Sequence, residues 1–335
     1  MKRLFDARHI FPKGLSVLLT VMLLTLLTGC VHSDGDTMPG VILSLRFPAD
    51  EMSMQPGVDL TRSAENPGRR CIVELYRPGT RTPVMRKAVR LHRSNPERVR
   101  FAVELTSELM PGKYDIAVWS DCISGDDAAK GIFYDTPNLG EIRIPLGEDY
   151  PRDVAPKEAA YAFLHGVDIG YGERSIDVNL KRPLARYVVL SEDVETYMKF
   201  IKRNPKFYPP LDELIFVIRY QFYFPVGFDV LSGKPIDASL DMGYTTHVSP
   251  WDKGEPGKIC VIADDVILTG NQASYLTIEL EVHGPDGRVY SRTKGLRVDF
   301  RQGYQTVIRG NFLTLGTGTS LIFDTSWEDD IIYDI

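Results

Sequence analysis

The cysteine at position 30 has the neighbours that a thiol needs in order to be alkylated and then exposed by cleavage. Thr28 and Gly29 precede it, and these two small residues leave the backbone accessible to a peptidase. Residues 15–27 form an apolar run without charge, and four basic residues lie before it. A basic leader, a short apolar segment and small residues before a cleavage site are typical of a secretory signal. The sequence therefore predicts an export signal over residues 1–29.

The segment Leu-Thr-Gly-Cys that ends at Cys30 resembles the lipobox of bacterial lipoproteins, in which the cysteine thiol takes a diacylglycerol. The apolar run is shorter than the ~20 residues that a transmembrane helix needs. Each buried CH₂ contributes ~0.8 kcal/mol, so two or three acyl chains such as palmitate hold a protein firmly. We therefore expect Cys30 to be lipidated and the chain to be anchored to a membrane. A plain export signal with an incidental cysteine is the alternative.

Residues 30–40 are short and polar and contain glycine and proline, so they are interpreted as a tether. Two aspartates follow Cys30 closely, at positions 34 and 36. An acidic stretch at this place resembles the surface-export signal of lipoproteins in Bacteroides-like bacteria. It predicts an outer-membrane lipoprotein on the cell surface, although an ordinary solvated linker has a similar composition.

The charge of the chain argues against nucleic acid as a partner. The whole chain carries −6, and residues 1–29 hold four basic residues and one acidic residue, so the exported part carries about −9. Nucleic-acid binding needs basic patches instead. A hydrophobic content of 43% supports folded cores, and the exported length is enough for two domains of ordinary size.

The histidines and carboxylates have no spacing that indicates catalysis or a metal site. Four histidines follow the tether, and no two of them have the i, i+4 or HExxH spacing of a zinc site. GxSxG and Walker motifs are absent. Acidic neighbours such as Asp264 and Asp265 do not fit an EF-hand loop. The sequence therefore predicts a protein that is not an enzyme and holds no metal or cofactor.

Three cysteines remain besides Cys30, namely Cys71, Cys122 and Cys260. The expectation for all three is burial as small apolar residues. Export makes one disulfide the alternative, with Cys71–Cys122 as the preferred pair, and the odd number then leaves one thiol unpaired.

Short alternating apolar runs, separated by Pro, Gly and Asn, predict a mostly β chain. Such runs typify antiparallel sandwiches rather than βαβ folds. The predicted strands occupy residues 41–47, 71–76, 99–105 and 113–120, one or two segments in 176–190, a long strand in 211–224, and a strand, turn, strand, strand series in 275–309. In the long strand, we expect Phe216, Ile218, Tyr220, Phe222 and Phe224 to share the core face.

One segment has the pattern of a helix. Val194, Tyr197, Met198 and Ile201 recur at helical spacing, and Ser191 is placed to cap the first turn. Prolines in the stretch 204–210 end it.

A second helical turn is predicted over residues 157–163. The proline-rich stretch 204–210 also gives the predicted domain boundary, with an N-terminal β-sandwich over 41–205 and a C-terminal one over 206–335.

Several stretches taken in order resemble the fimbrillin-like lipoproteins of Bacteroides and its relatives, which include type V pilins and fimbrial anchors. They follow the lipobox and are Tyr114–Asp121, Lys181–Arg186, Tyr223–Asp229, Thr306–Thr314 and Ile322–Asp329. The resemblance implies two tandem transthyretin-like β-sandwiches in a lipoprotein of a surface fimbria, whose partners are other subunits and the outer membrane. In polymerising members a protease cuts after a basic residue, the first strand leaves, and a neighbour's strand fills the groove.

Carried onto this sequence, the resemblance makes Arg46 the processing residue and Val41, Leu43, Leu45 and Phe47 the displaceable strand. An ordinary first strand with an exposed arginine would have the same pattern. The chain ends on the alternating stretch 330–335, which predicts either a closing strand of its own sheet or a donated strand. Anchor and accessory members keep their lipid and are not cut.

The rival hypothesis is a surface lipoprotein that captures a host protein or glycan through exposed aromatic side chains. Trp119, Trp251 and Trp327 are the candidates, and Trp251 is preferred because Ser249 and Pro250 place it in a loop.

Overall fold

The computed structural model describes residues 39–48, 68–91, 98–104, 109–146, 150, 157–171, 174–240, 242–247, 259–267, 274–303, 305–314, 327–328 and 330–334. Within these ranges the chain forms nineteen β-strands, one α-helix and one short 3₁₀ helix.

The first eight strands build two facing sheets of a first sandwich, apart from the short β6. Their bounds are β1 (Pro39–Arg46), β2 (Gly68–Tyr76), β3 (Pro83–Leu91), β4 (Arg98–Glu104), β5 (Gly112–Ile123), β6 (Ile142–Arg143), β7 (Ala160–Ile169) and β8 (Ser175–Asn179). One sheet has the order β4-β1-β8 and the other β3-β2-β5-β7. Their facing side chains form a core that includes Leu43, Val73, Phe101 and Val118.

The remaining strands build a second sandwich. Their bounds are β9 (Leu184–Ser191), β10 (Ile215–Gln221), β11 (Phe224–Asp229), β12 (Lys234–Ser239), β13 (Gly243–His247), β14 (Ile259–Ile267), β15 (Ser274–His283), β16 (Val289–Phe300), β17 (Gln305–Gly310), β18 (Trp327–Glu328) and β19 (Asp330–Asp334), with helix α1 at Val194–Arg203 and the 3₁₀ helix at Leu211–Glu213. The sheets are β14-β9-β17-β19-β18 and β13-β10-β15-β16, with a small third sheet β12-β11-β6.

The sheet β3-β2-β5-β7 is buried on both faces along β2 and β5. Tyr114, Ile116 and Val118 face the first core, while Trp119 on the opposite face contacts Tyr134 edge-on at a centroid distance of 5.1 Å. The ring centroid of Phe228, in the second sandwich, lies 6.0 Å from that of Trp119. The sheet β3-β2-β5-β7, called the central sheet below, therefore contributes side chains to both cores.

The mostly β class with two sandwiches and one helix, predicted from the alternating runs, is confirmed. The strand series over 275–309 and the two strands within 176–190 are also where the pattern placed them. Parallel pairs occur inside these sheets, since β1 pairs with β8 and β17 pairs with β9 in parallel. The boundary between residues 205 and 206 stays a prediction; β9, before it, is hydrogen-bonded to β14 and β17.

The predicted helical turn over residues 157–163 is wrong. Only Lys157 has a helical backbone, and β7 begins at Ala160 and pairs with β5, with Ser120 opposite Ala160. Alanine favours helices in isolation, but here Ala160 and Ala162 fill the first core. Sheet pairing thus overrides the local preference.

Helix α1 is shorter than expected at its start. Its N-cap is Asp193, without a side-chain capping bond, and Ser191 instead donates to the Asp193 carboxylate at 2.6 Å. Of the predicted apolar stripe, Tyr197 is buried, whereas Met198 is exposed. The predicted cap at Ser191 is therefore wrong.

The long strand predicted over 211–224 is broken into two. A 3₁₀ helix occupies its start, and Phe222 has a φ of 65°, in the left-handed region, between β10 and β11. Phe216, Ile218, Tyr220 and Phe224 are buried as expected, but Phe222 is exposed. The turn at Phe222 removes its side chain from the core face.

Replacing Trp119 by alanine is expected to lower the free energy of unfolding by ~3–5 kcal/mol, because the change leaves a cavity between the central sheet and the second core. Urea denaturation followed by circular dichroism measures it. Tyr223→Ala is the matched control, since Tyr223 is exposed, and a change within about 0.5 kcal/mol is expected. Equal effects of the two substitutions would contradict the shared-sheet packing.

Candidate functional site

Strand β1 lies in the middle of its three-stranded sheet. β4 pairs with it antiparallel along one edge, with Leu43 opposite Phe101. β8 pairs with it in parallel along the other edge, with Leu43 opposite Ile176. The backbone N–H of Ile42 also donates to the carbonyl oxygen of Arg174 at 2.7 Å. Both hydrogen-bonding edges of β1 are therefore occupied by its own chain.

Alternate side chains of β1 fill the first core, as the sequence pattern predicts. Val41, Leu43 and Leu45 are fully buried, and Phe47 after the strand is half-buried against the same core. Full burial of such a side chain is worth about 1.5–3 kcal/mol. Their burial makes β1 an integral part of the core, rather than an edge strand laid on it.

The other face and the end of β1 are held by polar contacts. The hydroxyls of Ser44 and Ser175 lie 3.3 Å apart, and Arg46 donates to the Asp177 carboxylate at 2.8 Å. The Arg46–Asp177 pair is about half exposed, and exposed pairs contribute ~0–1 kcal/mol. The carbonyl oxygen of Arg46 accepts from the N–H of Leu180 at 2.8 Å. A protease that cuts after Arg46 must first open this end of the strand.

Phe47 is held from one side by a guanidinium. The Arg69 guanidinium lies 5.9 Å from the Phe47 ring centroid, and Arg69 also pairs with Glu158 at 3.3 Å. Burial acts to raise the pKa of Glu158, but the charges of Arg69 and Arg182 outweigh it and lower the pKa below its ordinary value. Glu158 is therefore an anion at neutral pH and keeps Arg69 beside Phe47.

The arrangement suits β-augmentation. A sheet without β1 would have two unpaired strand edges, from β4 and β8, and three apolar positions vacated by Val41, Leu43 and Leu45. An extended peptide with the same alternation could pair on both edges and fill those positions. Unpaired edges promote such pairing with another chain.

The C-terminal segment has the role of a closing strand in this structure. β19 pairs in parallel with β17, with Ile332 opposite Val307 and Tyr333 opposite Ile308. Of the two alternatives that the sequence left open for residues 330–335, the structure shows pairing within its own sheet.

Two predicted site residues, Cys30 and Trp251, lie outside the described residues, so lipidation and ligand binding there stay predictions. Trp119 is fully buried, so its candidacy as an exposed ligand-binding aromatic is wrong. Cys71 and Cys122 are both buried thiols, as expected, and no disulfide joins them. Burial raises the pKa of Cys71 to about 12, so that thiol is unreactive.

Sequence reasoning missed an exposed aromatic group at one end of the second sandwich. Phe222, Tyr223 and Tyr275 are each more than half exposed. The pairing of Gln221 with Thr277 brings the turn after β10 to the start of β15, and the Arg297 guanidinium lies 4.0 Å from the Tyr275 ring centroid. The alternation placed Phe222 in the core, and only its left-handed backbone turns it outward.

The described residues contain no cluster of three or more His, Cys, Asp or Glu side chains arranged to hold a metal ion. Among the same residues, no helix has the length and apolar character required to cross a bilayer.

The sequence matches a protein family of unknown function, DUF6562, over residues 40–335. The chain belongs to this family. The match extends from β1 to the last strand, so the two sandwiches lie inside the family's sequence. A search among curated proteins found no significant match.

The comparison with solved structures finds proteins of low sequence identity, with TM-scores below 0.5. A candidate adhesin from Bacteroides thetaiotaomicron is 13% identical, with 76% of this chain and 79% of the other covered and a TM-score of 0.43. A candidate adhesin from Bacteroides ovatus is 11% identical, with 91% and 96% covered and a TM-score of 0.42. The fimbrial anchor protein Mfa2 from Porphyromonas gingivalis is 12% identical, with 76% and 82% covered and a TM-score of 0.39.

Leu43→Ala is expected to speed trypsin cleavage after Arg46 in the folded protein by at least about tenfold, because a buried Leu→Ala change costs ~2–5 kcal/mol and opens the strand more often. N-terminal sequencing of the fragments over time measures the rate. Asp177→Ala is the control that removes only an exposed ion pair, and a change below about fivefold is expected. Equal rates for Leu43→Ala and the unaltered chain would contradict the anchoring role of Leu43.

Proposed function

We propose that the chain is a surface-exposed outer-membrane lipoprotein that serves as a structural, accessory or anchor subunit of a fimbria-like assembly. Association with other subunits would occur by strand exchange, in which a neighbour's strand takes the place of β1. The central position of β1, with its buried apolar side chains, is the observation that carries this proposal.

Removal of β1 would leave the first core and two neighbouring strands incomplete. Loss of Val41, Leu43 and Leu45 would expose the first core to water, and loss of the strand would leave the facing edges of β4 and β8 without partners. Both costs disappear when a strand of the same alternation enters from another subunit. Exchange of a middle strand therefore restores two hydrogen-bonding ladders, whereas exchange of an edge strand restores only one.

In this proposal each predicted site residue has a distinct part. Cys30 carries the acyl chains, and cleavage after Arg46 would release Val41, Leu43 and Leu45 and leave Phe47 as the first residue of the cut chain. Ionic and backbone contacts at Arg46 hold the strand until it is cut. A subunit that keeps β1 and the lipid acts as an anchor or accessory subunit, and one that loses both accepts a neighbour's strand.

The second candidate function is capture of a glycan or host protein at the cell surface without polymerisation. The exposed Phe222, Tyr223 and Tyr275 favour it, because exposed aromatic rings give apolar stacking surfaces with polar edges. The left-handed backbone of Phe222 also favours ligand capture, because strained backbone concentrates at functional sites.

Intact mass and N-terminal sequencing of the protein from its own cells test the first proposal. A polymerising subunit is expected to begin at Phe47, and an anchor is expected to begin at acylated Cys30. Arg46→Ala in a polymerising subunit should retain β1 and abolish the ladder of oligomers on a gel. Arg203→Ala, at an exposed position of helix α1, is the control that removes an arginine without changing the cleavage site or its neighbours. Cleavage at neither position, with a free Cys30 thiol, would overturn the proposal.

A glycan array tests the second candidate with the full chain. If capture occurs at the aromatic group, Phe222→Ala combined with Tyr223→Ala should reduce binding about tenfold or more, since each aromatic contact is worth ~0.5–1.5 kcal/mol beyond the area that it buries. Trp251→Ala tests the loop that the sequence predicts as a binding site. It thereby distinguishes binding at that loop from binding at the aromatic group. Unchanged binding in both variants would reject aromatic capture.

A further inference from the structure

A lysine and an aspartate are joined in the interior, far from β1. Lys157 precedes β7 of the first sandwich, and Asp264 lies on β14 of the second, 107 positions away. The ammonium nitrogen donates to Asp264 Oδ1, and both side chains have no exposed surface. The phenol of Tyr134 donates to the backbone carbonyl of Lys157 at 2.5 Å and fixes its position.

Aromatic rings form most of the environment of the lysine nitrogen. Lys157 Nζ lies 3.9 Å from the ring centroid of Tyr150, 5.5 Å from that of Phe133 and 5.8 Å from that of Tyr244. An ammonium group has three N–H donors, and among the described residues its hydrogen-bond acceptor is Asp264. In buried surroundings an amine and a carboxylic acid cost less desolvation than an ammonium and a carboxylate.

The carboxyl group of Asp264 is held in one orientation by several donors. The phenol of Tyr150 donates to Oδ2 at 2.9 Å and approaches Oδ1 at 3.2 Å. The phenol of Tyr220 also donates to Oδ2, and the N–H of Asp265 donates to Oδ1 at 2.8 Å. These donors therefore hold both carboxyl oxygens of Asp264 in place beside Lys157 Nζ.

Other buried ion pairs in the described chain use arginine. Arg70 pairs with Asp121 through two bonds of 2.5 and 2.8 Å, and Arg186 pairs with Asp265 through bonds of 2.6 and 2.8 Å. A guanidinium is effectively always protonated and is no nucleophile. A lysine amine, once neutral, is a nucleophile toward carbonyl carbon, so Lys157–Asp264 can do chemistry that the arginine pairs cannot.

We propose that Lys157 and Asp264 condense to an intramolecular amide that covalently links the two sandwiches. One proton moves from the ammonium to Oδ1, which gives an amine and a carboxylic acid. Nζ then attacks Cγ, and a Cγ–Nζ bond forms. The Cγ–Oδ1 bond breaks, Oδ1 takes a second proton from Nζ, and one water molecule leaves. The step consumes no oxidant, reductant or other reactant.

The two phenols on Oδ2 have the geometry to assist this step. Attack at Cγ places negative charge on Oδ2, and preorganised donors at such a position stabilise the tetrahedral intermediate. Burial raises the pKa values of Tyr150 and Tyr220 well above 10, so both phenols remain donors. After condensation Oδ2 is the amide oxygen and keeps the same two bonds.

The amide would fix the start of β7 to the middle of β14 by a covalent bond. Asp264 is paired with Tyr187 of β9, so the bond ties the central sheet to the largest sheet of the second sandwich. A chain under tension could then not separate the two sandwiches without breaking a covalent bond. The amide would form within one chain, so its formation does not depend on whether the chain enters a fimbria.

Tryptic peptide mapping of the full chain from its own cells tests the proposal, and its result does not depend on the lipid. The expected product is a branched peptide that joins residues 153–174 to residues 259–288, lighter than the sum of the two by one water. Trypsin does not cut after an acylated lysine, so Lys157 remains uncut. Two separate peptides, with cleavage after Lys157, would overturn the proposal.

Variants identify the atoms of the bond. Lys157→Arg keeps the positive charge but cannot condense, and Asp264→Ala removes the carboxyl group, so both should abolish the branched peptide. Asp265→Asn is the matched control on the neighbouring carboxylate and should leave it in place. A branched peptide that persists in Asp264→Ala would refute the assignment to Asp264. The peptide map of the unaltered chain decides the proposal even where a variant does not fold.

Discussion

Burial of strands β2 and β5 on both faces of the sheet β3-β2-β5-β7 is the constraint on which the rest of the structure depends. One face, with Val73 and Val118, closes the first core against β1. The other, with Ile72 and Trp119, belongs to the core of the second sandwich. Strands with two buried faces cannot leave their polar side chains in water, so polar groups on β2 and β5 need partners inside the protein.

The charged groups of that sheet meet this need by holding the segment that covers them. Arg70 pairs with Asp121 and donates to Ala128 O at 3.1 Å, and the Glu74 carboxylate accepts from Leu139 N–H at 2.8 Å. Buried pairs add little net stability over apolar residues, but loss of one partner is costly. Their consequence here is specificity, because the chain after β5 can cover the sheet in one register. The Lys157–Asp264 pair likewise holds the segment before β7 against β14 of the second sandwich.

The position of β1 has a different consequence. A strand in the middle of a sheet contributes two ladders and a row of buried side chains, so the first core is incomplete without it. That makes the strand stable in place and makes a vacated site strongly attractive to a similar strand. Arg46 lies at the end of this strand and is about half exposed. The aromatic group around Phe222 lies on the second sandwich and provides a separate surface.

The sequence by itself determined the class of the fold and the inward face of β1, because period-two alternation fixes which side chains share a face. It also predicted the export signal and Cys30. Tertiary structure alone decided the rest. Pairing with β5 made a strand of the alanine-rich stretch that favoured a helix, and a left-handed turn exposed Phe222. Trp119 became core because a second sandwich covers its face, and Lys157 meets Asp264 only through contacts between residues distant in sequence, which local patterns do not encode.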